Sequence, residues 1–172
     1  MNNFILKHII RFVVLITIQV LVLNNVLFMG YINPYIYILF LLLLPFDTQR
    51  WLILILAFCL GISVDAFQNT MGIHAFSCVL IAFCRRPILH FLLPQLKNKK
   101  QSYLEFSLQE FGLQRALIYT CSLVFIHHFS LFILEAFQLD LLSVFLRTLA
   151  SSIISITLLI IIQYLIFKDA KR

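Results

Sequence analysis

Seven acids and five histidines are the side chains with chemistry to offer among 172 residues, and several of them stand in apolar surroundings. Asp65 is the most conspicuous. It closes the run L-G-I-S-V-D at 60–65, with Ala57 and Gly61 preceding it at four-residue intervals. Residues four apart share a helix face, so the acid lies on a stripe of small residues that Asn69 continues if the helix reaches it. A carboxylate in an apolar segment faces a partner, a cavity or the water interface rather than lipid, and small residues let another helix backbone come close. Gly61 is therefore expected to be a close-packing point, and Ala57, Gly61, Asp65, Asn69, Gly72 and His74 a partner-binding or structural motif. In the plainer alternative, Asp65 satisfies backbone groups near Asn69 and Thr70, as acids at helix ends commonly do. Gly72 is expected to end or bend the segment, and His74 to begin the next helix.

A second set is His127, His128 and Glu135. Glu135 follows His128 by seven positions, close to the same helix face after two turns. The set reads either as the polar lining of an outward-facing cavity or proton relay, or as histidines that each find a partner on a neighbouring helix. Cys59, Cys78, Cys84 and Cys121 stand singly, without C-x-x-C spacing or a nearby histidine pair, so neither a metal nor a disulfide is expected. There is no H-E-x-x-H, G-x-S-x-G or P-loop pattern. An intramembrane protease would need a nucleophile with its partner or two intramembrane aspartates, and a pump more buried ionisable groups. No catalytic residue and no cofactor are expected, and the chain reads as a non-enzyme.

The elements that must position these groups follow from composition. Hydrophobic residues make up 62% of the chain, charged residues 12%, and the mean hydropathy is +1.02, far from a soluble domain. This is the signature of an all-α integral membrane protein. With about 20 residues per span, the expectation is six transmembrane helices in one compact bundle, a single domain over 1–172, with helices near 9–28, 31–45, 51–70, 72–93, 116–137 and 143–167. The second and fourth apolar runs are short. Tyr35 to Leu44, bounded by Pro34 and Pro45, is too short for a straight helix across a ~30 Å core, and either borrows flanking residues or sits shielded by its neighbours. Trp51 opens the third helix at an interface, which places Asp65 roughly 21 Å along it. Pro94 to Arg115 is the longest polar connection. With both termini inside, twelve of the thirteen basic residues share one side, leaving Arg147 on the other, the positive-inside bias. The net charge of +6 reads as topology and contact with anionic lipid, not nucleic-acid binding.

The blocks L-P-F-D-T-Q-R-W at 44–51 and L-G-I-S-V-D-A-F-Q-N-T-M-G-I-H-A at 60–75, with I-N-P-Y at 32–35, resemble the third-helix signature of the bacterial rod shape-determining protein family MreD. Gly61, Asp65, Gly72, His74 and Ala75 occupy its G-x-x-x-D and Gly-x-His-Ala positions; the second half of the chain is generic apolar helix. The resemblance implies a non-catalytic scaffold of the cell-elongation complex in the bacterial inner membrane, with both termini cytoplasmic. Its partner would be an MreC-like bitopic protein, linking an MreB-like filament to a RodA glycosyltransferase and its transpeptidase for lateral peptidoglycan synthesis. It also implies a fold resembling the substrate-binding subunits of energy-coupling-factor vitamin transporters. Function as such a subunit is the alternative. Those subunits dock through Ala-x-x-x-Ala in the first helix, whereas residues 1–56 contain no alanine.

Overall fold

The computed structural model describes residues 2–25, 32–93, 112–136 and 140–169. Among them the chain is helical and without strands: α1 (Asn2–Leu21), α2 (Ile38–Leu42), α3 (Arg50–Gln68), α4 (Ile73–Leu92), α5 (Leu113–Glu135) and α6 (Leu141–Asp169). Five of these, all but α2, are long and apolar enough to cross a membrane. The chain is therefore a multi-pass membrane protein.

α1 meets no glycine or proline over its length and ends where the Asn25 amide caps the Leu21 carbonyl at 3.0 Å. Residues 26–28 of the expected first helix, and Tyr31 of the expected second, lie outside the described residues. α3 and α4 form an antiparallel hairpin. α3 stops at Gln68, because Asn69 adopts the left-handed conformation (φ 54°) and turns its N–H onto the Asp65 carbonyl. Asn69 thus leaves the small-residue stripe, contrary to its expected continuation. Gly72, also at positive φ (81°), precedes α4. α4 then runs through Pro87 to Leu92. Most of the expected Pro94–Arg115 connection, residues 94–111, lies outside the described residues.

The expected second helix over 31–45 is corrected to the single turn Ile38–Leu42. Pro34 and Pro45 bracket it, and the residue before a proline is pushed out of the helical region. The five helical residues rise about 7.5 Å. Tyr37 and Leu43, which flank the turn, also have helical dihedrals, and with the remaining residues advancing by up to about 3.3 Å each, Asn33 to Pro45 can reach at most roughly 30 Å, the thickness of a hydrocarbon core. Every residue from Tyr35 to Leu44 is 3% exposed or less: the strand of chain runs through the middle of the bundle, walled by the long helices.

Non-helical backbone at membrane depth is tolerated only where protein satisfies its polar groups. Here side chains from four helices do so. Gln19 of α1 accepts the Ile36 N–H at 2.8 Å and donates to the Pro34 carbonyl at 3.1 Å. On α6, the hydroxyls of Ser151 and Ser155 accept the N–H groups of Asn33 (3.3 Å) and Tyr35 (3.0 Å). Towards the other end, Arg85 of α4 donates to the carbonyls of Leu44 and Pro45, and the Tyr119 hydroxyl of α5 to that of Leu42. Successive crossings alternate in direction, so the beginning of α1, Pro45, Arg50, Arg85 and the start of α5 share one basic end. Asp65, Glu135 and Asp140 mark the opposite end.

Candidate functional site: a buried polar core at the α3–α4 joint

Asp65 is 2% exposed, and its carboxylate is fully engaged within the chain. It accepts the Thr70 hydroxyl at 2.5 Å, the His74 N–H at 3.1 Å and the Ala75 N–H at 2.8 Å. The last two are free donors of the first turn of α4. An N-cap side chain ordinarily takes such donors, but Gly72 has none to offer, and the acid of the preceding helix reaches over instead. A carboxylate there is also favoured by the positive end of the helix dipole. The reach depends on Gly61. A Cβ at position 61 would lie 2.4 Å from the Ala75 Cα and 2.6 Å from both the Ala75 nitrogen and the His74 carbonyl oxygen. Ala57 is fully buried on the same face. The small-residue stripe therefore packs on α4 of the same chain, and Gly61, Asp65, Gly72, His74 and Ala75 form one interlocked joint.

From this joint a row of hydrogen bonds enters the core. Gln68 Oε1 accepts from His74 Nε2 at 2.6 Å, which leaves His74 Nδ1 to accept the Tyr37 hydroxyl at 2.9 Å. The Tyr37 oxygen in turn accepts His127 Nε2–H at 2.8 Å. The row is thus polarised from His127 towards Gln68. His127 Nδ1 is buried and has no hydrogen-bond partner among the described residues. His128 is held separately: its Nδ1–H donates to the Val124 carbonyl at 2.9 Å, so its Nε2 accepts the Ser155 hydroxyl at 3.0 Å. The Tyr35 ring lies 5.2–5.8 Å from all three imidazoles, edge-on to His74 and His127 and tilted against His128. Close by, the Ser130 hydroxyl ties α5 to Ser77 of α4 at 3.0 Å.

Not every expected member joins. His127 and His128 are completely buried, whereas the Glu135 carboxylate is exposed and pairs with Arg147 at 2.9 Å, whose guanidinium caps the Phe132 ring at 4.2 Å. The expected cluster of His127, His128 and Glu135 is therefore two separate features. Seven residues span 700° of helix rotation, about 20° short of two full turns, but some 10 Å of rise separates the two levels. His74 stands in the first turn of α4, at the expected start of that helix, and is buried in the core. Asp140 begins α6 two residues earlier than expected. It takes the Ser143 hydroxyl and N–H, and these bonds hold its carboxyl below the ordinary carboxylate range.

Residues that sequence reasoning did not single out do much of the positioning: Gln19, Tyr35, Tyr37, Gln68, Arg85, Tyr119 and Ser155. The signal available for Gln19 and Arg85 was their polarity within apolar runs. For Tyr37, nothing in the local pattern distinguished it from Tyr31 or Tyr35. Among the described residues no group of histidine, cysteine and acidic side chains converges as metal ligands would. Chemically, the arrangement is a row of neutral donors and acceptors locking α3, α4, α5 and the threaded segment together. Comparison of the chain with protein-family models, curated proteins and solved structures returned no match.

Proposed function

We propose that this chain is a non-catalytic membrane scaffold of the MreD type, which binds an MreC-like bitopic partner in the bacterial inner membrane and supports lateral peptidoglycan synthesis and rod shape. The observation that carries this is the filled interior. Tyr35–Leu44 occupies the centre of the bundle, and the cavities lie to its side at the basic end, between α1 and α3 and between α3 and α4, whereas a substrate-binding subunit of a vitamin transporter is built around room for its ligand. The polar groups around it bond to its backbone and to one another. A rigid core of this kind suits a protein whose outer surface is its working part. The motif residues that carry the MreD resemblance also form one mechanical unit, the α3–α4 joint. Under the positive-inside rule the basic end and both termini face the cytoplasm, and Asp65 faces outward.

The test is recovery of an MreC-like protein with the tagged chain from rod-shaped bacterial membranes, alongside cell width on depletion. Co-purification with widening or rounding of depleted cells is the expected result. A purified sample that instead carries a stoichiometric vitamin, or associates with a paired ATPase, would overturn the scaffold in favour of transport.

A further inference from the structure

We propose that the trough between α3 and α4 at the basic end binds the phosphate of an anionic glycerophospholipid, with an acyl chain along its apolar wall. The cavity is about 350 Å³. Its register follows from the joint, where Gly61 and Ala75 are level. Eleven residues back along α3 and eleven forward along the antiparallel α4 come Arg50 and Arg86. Seven residues in each direction bring Leu54 and Ala82 together. All four line the trough, with Phe83 beside them. Two exposed guanidiniums thus stand at one level above a hydrocarbon wall that continues towards mid-membrane.

Behind them lies Arg85, which is 2% exposed and also lines the cavity. Its donors go to the Leu44 and Pro45 carbonyls and the Tyr119 hydroxyl. Among the described residues no carboxylate pairs with Arg50, Arg85 or Arg86, and no acid lines the trough. Three like charges on one wall repel one another in the weakly screening interface, and an anion between them relieves that repulsion while accepting forked guanidinium hydrogen bonds. The larger cavity between α1 and α3, about 860 Å³, mixes Asp47 with His8 and shows no such preference for one sign. A free phosphate would satisfy the arginines but leave the apolar wall bare. A phospholipid satisfies both, and a basic cluster at the headgroup level is where anionic lipid concentrates.

The experiment is native mass spectrometry of the full chain released from a neutral detergent, titrated with phosphatidylglycerol or with phosphatidylcholine of the same acyl chains. Retention of phosphatidylglycerol in preference to phosphatidylcholine is expected. Arg50→Gln/Arg86→Gln should weaken it by about tenfold or more, with an unchanged lipid-free unfolding temperature, whereas Arg50→Lys/Arg86→Lys should retain most of the preference. Equal retention of the two lipids, an undiminished preference in the Gln variant, or complete displacement of the lipid by soluble glycerol 3-phosphate would each overturn the proposal.

Discussion

Adding one methyl group at position 61 puts the α3–α4 joint under its severest load. The alanine Cβ of Gly61→Ala would stand 2.4–2.6 Å from three atoms, all of them backbone, so no rotamer change relieves the clash. Carbon atoms settle at about 3.5–4.0 Å, and the helices must therefore part by roughly 1 Å or more at this level. The Asp65 bonds to the His74 and Ala75 amides, 3.1 and 2.8 Å long, would then stretch past the hydrogen-bonding limit of about 3.2 Å. Overpacking costs about 1–3 kcal/mol and each of the two lost hydrogen bonds to a charged group about 1.5–3 kcal/mol, so the expected destabilisation is about 4–9 kcal/mol. Denaturant unfolding in micelles, followed through the single tryptophan, Trp51, measures it. Because the alanine already breaks the Asp65 contact, Asp65→Ala should add little on top of it, a coupling that a double-mutant cycle reads directly. An unchanged midpoint for Gly61→Ala, or strict additivity with Asp65→Ala, would refute the mechanical link between the glycine and the acid.

Tyr37→Phe strands His74 Nδ1 and His127 Nε2–H in the core. It should cost about 1–3 kcal/mol for each group left unsatisfied, while on a His127→Phe background the same change should cost less; the four unfolding midpoints decide. Arg85→Lys should fail to replace arginine, since an ammonium lacks the planar fork that serves two carbonyls and a hydroxyl together. Increased labelling of a cysteine placed at Leu43 would report the loosened segment, and labelling at the parent's rate would show that Arg85 does not hold it.

The long helices were legible because apolar runs of twenty residues leave a membrane chain few alternatives, and the stripe of Ala57, Gly61 and Asp65 was legible from four-residue spacing. What the stripe touches was not. Nothing in the spacing distinguishes a foreign helix from α4, and the decisive fact, a capless Gly72 whose amide donors need a carboxylate from elsewhere, exists only once the turn is folded. Tyr35 to Leu44 was visibly too short to span as a helix. Its path through the bundle was hidden because the partners that permit it, Gln19, Arg85, Tyr119, Ser151 and Ser155, are scattered over the chain. Glu135 was grouped with the histidines by rotation about the axis alone, although the rise along the axis kept them apart.

The threaded segment also constrains how the protein is made. An ordinary hydrophobic helix carries its backbone hydrogen bonds with it and can enter the bilayer as soon as it leaves the ribosome. Asn33 and Tyr35 depend on hydroxyls 118 and 120 residues further along the chain, on a helix synthesised long after them. Until α6 arrives, this stretch has amides that neither lipid nor its own helix can satisfy, so it must wait at the surface, in the insertion machinery or in a provisional conformation. A chain truncated before Ser151 would hold most of the hydrophobic mass of this protein, its central segment included, and still lack the hydroxyls that seat that segment.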